Sequence, residues 1–285
     1  MMQVLFPHTL AELHGLRQEI PDGRILAGGT DLLVKLRHAA KTPPALFGIE
    51  RIGELGEVTI SDTEISIGAA VTLQRLLECD TVKTDFPALF QAIETLASPP
   101  VRHGATLAGN ICTASPAGDS LPPLYVFGAT IEISSPSGCR SIPLADFIRG
   151  PGMTVLQPTE VVTKVRILRP ISPRQSVYHK VGKRRAMAIA VASMAALREE
   201  DKNGGRRIRL AWGSVGPTVI TSPTIECLLE ERGFDNTALG EAGQLLADIV
   251  RPIADVRASA EYRRQLAANL LLRLADDFGA AQQEG

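Results

Sequence analysis

A chain of 285 residues, 45% of them apolar and 21% charged, is long enough to bury the cores of two or more domains. Its net charge of −1 at pH 7 excludes an overall basic field for binding nucleic acid or a membrane surface. No apolar run reaches the roughly 18 residues of a membrane-spanning helix. The N-terminus also lacks the charged and apolar regions of a signal peptide.

The four cysteines lie far apart, at positions 79, 112, 139 and 227. They form no Cys-x-x-Cys pair and no set with histidine at metal-ligand spacing. We therefore expect no metal or cluster site within this chain, and a cytoplasmic, reducing setting without membrane insertion. Cys112 is expected to be a small buried hydrophobe rather than a redox thiol.

The first 96 residues alternate between short predicted strands and helices. A capping box from Thr9 to Glu12 opens a first helix that continues to about Glu19. Apolar alternation on both sides of the turn at 61–64 predicts a hairpin of strands 58–60 and 65–67. The other predicted elements are a strand at Ile25, a helix at 32–39, a strand at 45–49, and helices at 73–78 and 86–96.

The stretch Ser98–Asp119 has few long apolar side chains and little periodicity, so we predict a long functional loop there. The chain beyond it reads as mixed α+β rather than regular βαβ repetition. Arg169–Pro173 has the composition of a domain boundary. The later predicted elements are a hairpin at 131–143, a strand at 161–167, three antiparallel strands at 176–181, 187–198 and 206–215 with a turn at 201–205, and helices at 224–232, 237–250 and 258–278.

Two adjacent glycines, Gly28 and Gly29, end the short apolar run at Ile25. Glycines accept φ > 0 and leave no Cβ in the way of a ligand. Backbone N–H groups at such a strand-to-helix turn suit a phosphate. Thr30 adds a hydroxyl, and Asp31 either caps the helix or holds the loop from inside. Taken alone, a run of this kind is more often an ordinary tight turn.

A second segment, residues 101–119, is rich in small and hydroxyl side chains. With His103 neutral, no charge lies between Arg102 and Asp119, which suits a buried polar wall around a ligand. Two such segments would suit a long diphosphate cofactor laid between two subdomains.

Three motifs together resemble the FAD-binding subunits of the molybdenum hydroxylases, a family that includes the medium subunit of carbon monoxide dehydrogenase and the FAD subunit of bacterial xanthine dehydrogenase. They are Ala27–Asp31, Ala105–Ile111 and Ser115–Asp119. Asp255–Arg264 resembles the family's C-terminal domain. The resemblance implies an α+β fold. It places a two-subdomain FAD-binding domain of the vanillyl-alcohol oxidase/PCMH type at 1–172 (subdomains about 1–55 and 56–172) and a small C-terminal domain with a three-stranded antiparallel sheet at 173–285.

The resemblance also implies which residues bind FAD. The first loop would hold the pyrophosphate, the second segment would contact phosphate and ribitol, and Lys180 would lie near the flavin and help stabilise its reduced, anionic form. A plain exposed lysine in a basic run is the alternative for Lys180. The residues assigned to the cofactor are Leu26, Ala27, Gly28, Gly29, Thr30, Asp31, Leu32, Leu96, Thr106, Gly109, Asn110, Thr113, Asp119, Val162 and Lys180.

Three positions depart from the family pattern. Ala108 stands where the family has the first of two glycines, and His103 stands where asparagine is common. Ala188 replaces an aspartate, which puts that side chain's contacts in doubt.

The function implied is an electron-transfer flavoprotein subunit of an oxidoreductase. It would take electrons from a [2Fe-2S] subunit and pass them to an acceptor such as NAD or a quinone. A molybdopterin-binding subunit would complete a heterohexamer. The five histidines pair with no obvious nucleophile, so no catalytic residue is expected in this chain. The alternatives are a self-contained FAD oxidoreductase of the vanillyl-alcohol oxidase-like superfamily, and a non-enzymatic scaffold that has lost its flavin.

Overall fold

The structure is a computed structural model that describes residues 2–172, 174–184, 187–200 and 205–279. Its described residues form two compact units. The first unit consists of Met1–Cys79, Ser98–Thr113 and Gly128–Arg169, and the second of Asp80–Ala97, Ala114–Phe127 and Pro170–Gly285. The expected boundary between residues 172 and 173 stays a prediction.

The elements are short and follow one another closely along the chain. The strands are β1 (Gln3–Leu5), β2 (Arg24–Leu26), β3 (Ala45–Gly48), β4 (Val58–Ile60), β5 (Glu64–Gly68), β6 (Thr130–Ser135), β7 (Gly138–Pro143), β8 (Ile148–Gly150), β9 (Met153–Thr154), β10 (Val161–Leu168), β11 (Arg174–Val181), β12 (Ala192–Glu200) and β13 (Arg206–Gly213). The helices are α1 (Leu10–Glu19), α2 (Leu32–Arg37), α3 (Leu73–Leu77), α4 (Asp80–Asp85), α5 (Pro87–Thr95), α6 (Pro99–Gly104), α7 (Leu107–Thr113), α8 (Leu121–Val126), α9 (Leu144–Phe147), α10 (Pro223–Arg232), α11 (Asn236–Ile249), α12 (Ala260–Leu272) and α13 (Leu274–Phe278).

The first unit contains a parallel sheet of order β1-β3-β2 and an antiparallel sheet of order β4-β5-β10-β6-β7. In the parallel sheet the central strand β3 is buried along its whole length. Thr9 is confirmed as the N-cap of α1, because its hydroxyl accepts the Glu12 amide N–H at 3.1 Å, whereas the Glu12 carboxylate accepts the amide N–H of His8 rather than that of Thr9. Both predicted hairpins are confirmed as the antiparallel pairs β4–β5 and β6–β7.

The second unit is built on an antiparallel sheet of order β11-β12-β13, as predicted. The middle strand begins at Ala192 rather than Met187. Helices α10, α11 and α12 bury their apolar residues with Trp212 in one core. Two segments from the middle of the chain also belong here, since α5 packs on β11 and α8 packs on β13. The predicted turn at 201–205 falls on residues of which 201–204 lie outside the described ranges.

The prediction of a long loop at Ser98–Asp119 is wrong. The stretch contains α6 and α7, of six and seven residues. Pro99 sits in the first turn of α6, where a missing amide N–H costs nothing. In α7, Leu107, Ala108 and Ile111 form a narrow buried face. Elements this short present too few apolar positions for a helical period to be recognised.

Helices α8 and α9 are not predicted from the sequence, and two other helical regions differ from the predictions. Helix α4 lies between the two predicted helices at 73–78 and 86–96 and was not expected. The last predicted helix, 258–278, is two helices that meet at Arg273. The predicted α+β class is confirmed.

Candidate functional site

The first glycine run forms the turn between β2 and α2, and its two glycines are needed for different reasons. Gly29 adopts φ +68°, in the left-handed region that favours glycine. Gly28 has no room for a side chain, because an added Cβ would lie 1.8 Å from the carbonyl oxygen of Gly104. The atoms it would meet belong to backbone and cannot rotate away. The first loop therefore packs directly on the end of α6.

Backbone donors in this turn are available to a ligand. The amide N–H groups of Gly29, Thr30 and Asp31 have no hydrogen-bond partner within the described ranges. Thr30 and Asp31 are exposed, while residues 26–29 are half-buried. Accessible N–H groups without an internal partner suit an anion such as a phosphate. The turn thus has the chemistry that a diphosphate cofactor requires.

The second segment contributes the start of α7. The Thr106 hydroxyl oxygen accepts the amide N–H of Gly109 at 3.0 Å, which leaves the hydroxyl proton for another acceptor. Gly109 is itself confined, since an added Cβ would lie 2.9 Å from that hydroxyl oxygen. The amide N–H of Asn110 donates to the Thr106 carbonyl. Thr106 thus caps α7, and its hydroxyl proton remains available to a ligand oxygen.

Asp31 and Thr113 join the two segments. The Thr113 hydroxyl lies 3.2 Å from a carboxylate oxygen of Asp31 and 3.0 Å from the Gly109 carbonyl oxygen. Asp31 also pairs with Lys35 at 2.6 Å and makes no capping hydrogen bond to α2. Of the two roles considered for Asp31, the structure therefore favours the one that holds the loop.

The remaining predicted residues of the first unit lie close to these loops in the fold. Leu26 ends β2, and Leu32 begins α2. Val162 lies on β10, the strand against which α7 packs, and is buried opposite Ile133. Cys112, on α7, is half-buried, and burial of its thiol raises the pKa to about 12, which disfavours a reactive thiolate. Ala108 is also buried on that helix, so its methyl group is accommodated.

In the second unit, Asp119 and Lys180 form a buried ion pair. The Lys180 ammonium lies 2.6 Å from Asp119 Oδ2, with side-chain exposures of 8% and 7%. The same ammonium donates to the Thr95 carbonyl oxygen at 3.2 Å. Lys180 is therefore not the exposed lysine of the alternative interpretation. Leu96, the residue after α5, is also buried in this unit.

Tyr178 supports this ion pair with a hydrogen bond, and the sequence motifs do not identify it as a site residue. Its hydroxyl donates to Asp119 Oδ1 at 2.8 Å. Burial raises the pKa of Asp119, while Lys180 and Tyr178 act to lower it. Burial and the neighbouring Asp119 hold the pKa of Tyr178 well above its ordinary value, so the phenol remains a donor. The signal was its position two residues before Lys180, which puts both on one face of a strand.

A cavity of about 340 Å³ opens beside Lys180 at the outer edge of β11. It is lined from three sides, by α5, β11 and α12. Within the described ranges, no cluster of His, Cys, Asp or Glu could hold a metal ion. Among the described helices, none is long and apolar enough to cross a membrane.

Two family descriptions cover nearly the whole chain. Residues 1–170 match the FAD binding domain in molybdopterin dehydrogenase, and residues 177–278 match the CO dehydrogenase flavoprotein C-terminal domain. The chain belongs to this family of FAD-binding subunits. The resemblance noted in the sequence is thereby confirmed.

Relatives of this FAD-binding subunit match it over nearly its whole length. The xanthine dehydrogenase FAD-binding subunit of Escherichia coli O157:H7 is 31% identical, over 96% of this chain and 94% of its own. The reconstituted CO dehydrogenase from Oligotropha carboxidovorans has a chain that is 26% identical with a TM-score of 0.91, covering 98% of each chain. Quinoline 2-oxidoreductase from Pseudomonas putida 86 gives the same identity and TM-score, over 99% of this chain and 98% of its own. The protein is a flavoprotein subunit of an oxidoreductase complex.

Proposed function

We propose that this FAD-binding subunit transfers electrons from a [2Fe-2S] subunit to an acceptor such as NAD or a quinone. The observation that carries the proposal is the pair of loops around Gly28 and Gly109, combined with a family whose members are subunits of molybdenum dehydrogenases. Bound FAD supplies the redox chemistry, and the protein positions and tunes it. Because the family assignment covers nearly the whole chain, it favours a subunit over a self-contained oxidase or a scaffold.

The residues present fit FAD. The backbone N–H groups of the first loop that have no partner suit the pyrophosphate, and the Thr106 hydroxyl proton suits a second phosphate or ribitol oxygen. As the family resemblance implies, we propose Asp119 for the ribitol and Lys180, Leu96 and Val162 for the flavin. Asp119 balances the positive charge of Lys180 in the ion pair. Lys180 would therefore lie near the reduced flavin as part of a charge pair and not as an isolated cation.

Electrons need an entry route from outside this chain. No group of His, Cys, Asp or Glu side chains in the described ranges could hold a metal ion, and we propose a [2Fe-2S] subunit as the donor and a molybdopterin-binding subunit as the place of substrate oxidation. We propose two copies of each of the three subunits. All four cysteines are free, which fits the cytoplasmic setting that we also propose.

Co-purification tests this proposal. The tagged chain is expressed alone and together with the genes beside it, and both preparations are analysed for FAD, iron and molybdenum. We expect FAD without iron in the isolated chain, and iron and molybdenum only when the neighbouring subunits co-purify. Iron or molybdenum bound by the isolated chain, or absence of flavin from both preparations, would contradict the proposal.

A further inference from the structure

Buried polar side chains from β11 and β12 surround the Asp119–Lys180 pair. Tyr178 donates to Asp119 Oδ1 at 2.8 Å, and Ser193 lies close enough to the Tyr178 hydroxyl to act on its pKa, which it lowers. Lys180 holds Oδ2 of the same carboxylate. Ser193 and Tyr178 are 2% and 7% exposed, so water has little access to either. The four side chains all belong to the second unit.

The fold prepares this arrangement around Tyr178. Its amide N–H donates to the Gln91 side-chain oxygen at 2.8 Å, which anchors β11 to α5. Ser193 lies directly across from Lys180 in the β11–β12 pairing. Gly213, opposite Ser193 on β13, leaves room for the hydroxyl, because a Cβ there would lie 2.6 Å from Ser193 Oγ. The strands thus hold both hydroxyls in place.

The Tyr178 hydroxyl contributes an interaction that packing does not require. A phenylalanine ring would fill the same space, but it would leave Asp119 Oδ1 without its donor. A buried ionised carboxylate is stable only with enough donors, and hydrogen bonds to it favour the charged form. Ser193 lies across from Lys180 and lowers the pKa of Tyr178, as a donor beside the phenolic oxygen does; such a donor favours the orientation in which the phenolic proton points to Asp119.

We propose that Tyr178 and Ser193 are positioning residues that hold Asp119 ionised against Lys180 and thereby set the affinity for FAD and its dependence on pH. The inference rests on the proposed contact of Asp119 with the cofactor. Neither hydroxyl touches the cofactor in this account. Each acts through the carboxylate.

The titration of other ionisable groups near Lys180 has to be distinguished from that of Asp119 in any experiment that varies pH. Glu94 on α5 and Arg273 after α12 line the adjacent cavity. His179, on the same strand, also lines it and is hydrogen-bonded to Asp277 at 2.6 Å. An Asp119→Asn variant identifies their contribution, because it removes only the carboxylate that the inference invokes.

The test compares Tyr178→Phe with Tyr262→Phe in the full chain. Tyr262 is half exposed on α12, so its variant removes the same hydroxyl from a surface site. Dissociation constants for FAD are measured between pH 6 and 9, and the Asp119 carboxyl is followed in the apoprotein by carbon NMR, assigned with Asp119→Asn. We expect Tyr178→Phe to weaken FAD binding about tenfold at pH 7, as loss of a hydrogen bond to a charged group can. We also expect its Asp119 to take up a proton at higher pH than in the wild type, with FAD affinity falling over the same range.

Three results decide the inference. If FAD affinity and carboxyl titration are the same in Tyr178→Phe and Tyr262→Phe, the positioning role is refuted. If Tyr178→Phe fails to fold, Ser193→Ala decides instead, with about threefold weaker FAD binding expected and unchanged binding refuting it. If the wild-type chain binds no FAD, the proposed function fails, while the carboxyl titration still tests the effect of the Tyr178 hydroxyl on Asp119 independently.

Discussion

Adding one methyl group at Gly28 should separate the two loops that we propose hold the cofactor. In Gly28→Ala the new Cβ would lie 1.8 Å from the Gly104 carbonyl oxygen and 2.9 Å from the Ala105 Cα. Real Cβ atoms essentially never approach closer than 3.0 Å, so the backbones must move apart by at least 1.2 Å, the difference between these distances. No flexible side chain is available to absorb that movement.

The size of the effect follows from the cost of overpacking. Such strain typically costs about 1–3 kcal/mol, which in a chain of this size lowers the melting temperature by roughly 2–4 °C per kcal/mol. Displacement of the first loop should weaken FAD binding about tenfold or more, since ~1.4 kcal/mol corresponds to a factor of ten. Flavin fluorescence titration and thermal unfolding of the apoprotein measure the two effects.

The matched control is the glycine on the other side of the same contact. In Gly104→Ala the new Cβ would lie 3.4 Å from both the Gly28 carbonyl oxygen and a methyl group of Thr30. That distance is ordinary van der Waals contact, so we expect little change in stability and retained FAD. If Gly28→Ala binds FAD and melts like Gly104→Ala, the steric reasoning is refuted.

Three further predictions concern other sites. Gly29→Val should lose FAD with a largely intact fold, whereas Gly29→Asn, whose side chain tolerates the left-handed φ of +68°, should retain more flavin; equal flavin-to-protein ratios in the two purified variants would contradict the conformational argument. Asp119→Ala should weaken FAD by about 1–3 kcal/mol, since it leaves the buried Lys180 ammonium without its carboxylate, and unchanged affinity by titration would remove Asp119 from the cofactor site. Glu226 accepts the Leu210 amide N–H at the edge of β13, and burial raises the pKa of its carboxyl. Glu226 therefore binds a proton more readily in the folded chain than in the unfolded chain, so its contribution to the free energy of unfolding falls as pH rises. We expect Glu226→Gln, which keeps an acceptor without the charge, to melt higher than wild type at pH 7 and to lose this advantage towards pH 5, and a difference that is constant with pH would refute the assignment.

Local chemistry explains which elements could be predicted from the sequence. The N-cap at Thr9 and the hairpins β4–β5 and β6–β7 depend on a few adjacent residues, and the structure has all three. The sequence of α6 and α7 shows no helical period, because α6 has no buried residue and one of the three buried residues of α7, Ala108, carries only a methyl group. Small residues therefore indicated a ligand segment without revealing its helical form.

Contacts between residues far apart in the chain cannot be predicted from the sequence patterns alone. The sequence offers two reasons for a glycine at position 28, a positive φ or the close approach of a ligand, yet in the structure the space for a Cβ is taken by the backbone of Gly104. The sequence does not identify Tyr178 as a site residue, because the carboxylate that accepts its hydrogen bond belongs to Asp119, 59 positions away. The roles carried over by family resemblance were assigned residue by residue, and a neighbour that acts through another side chain is not part of such a motif.

Reduction of the flavin by the substrate of the complex tests the central claim most directly. Flavin absorbance is followed anaerobically after substrate is added to the complete complex, to the complex without its iron–sulfur subunit, and to this chain alone. Electron transfer through a partner predicts rapid bleaching in the complete complex and none in the other two samples. Rapid bleaching of the isolated chain would show that it oxidises the substrate itself and would contradict the account.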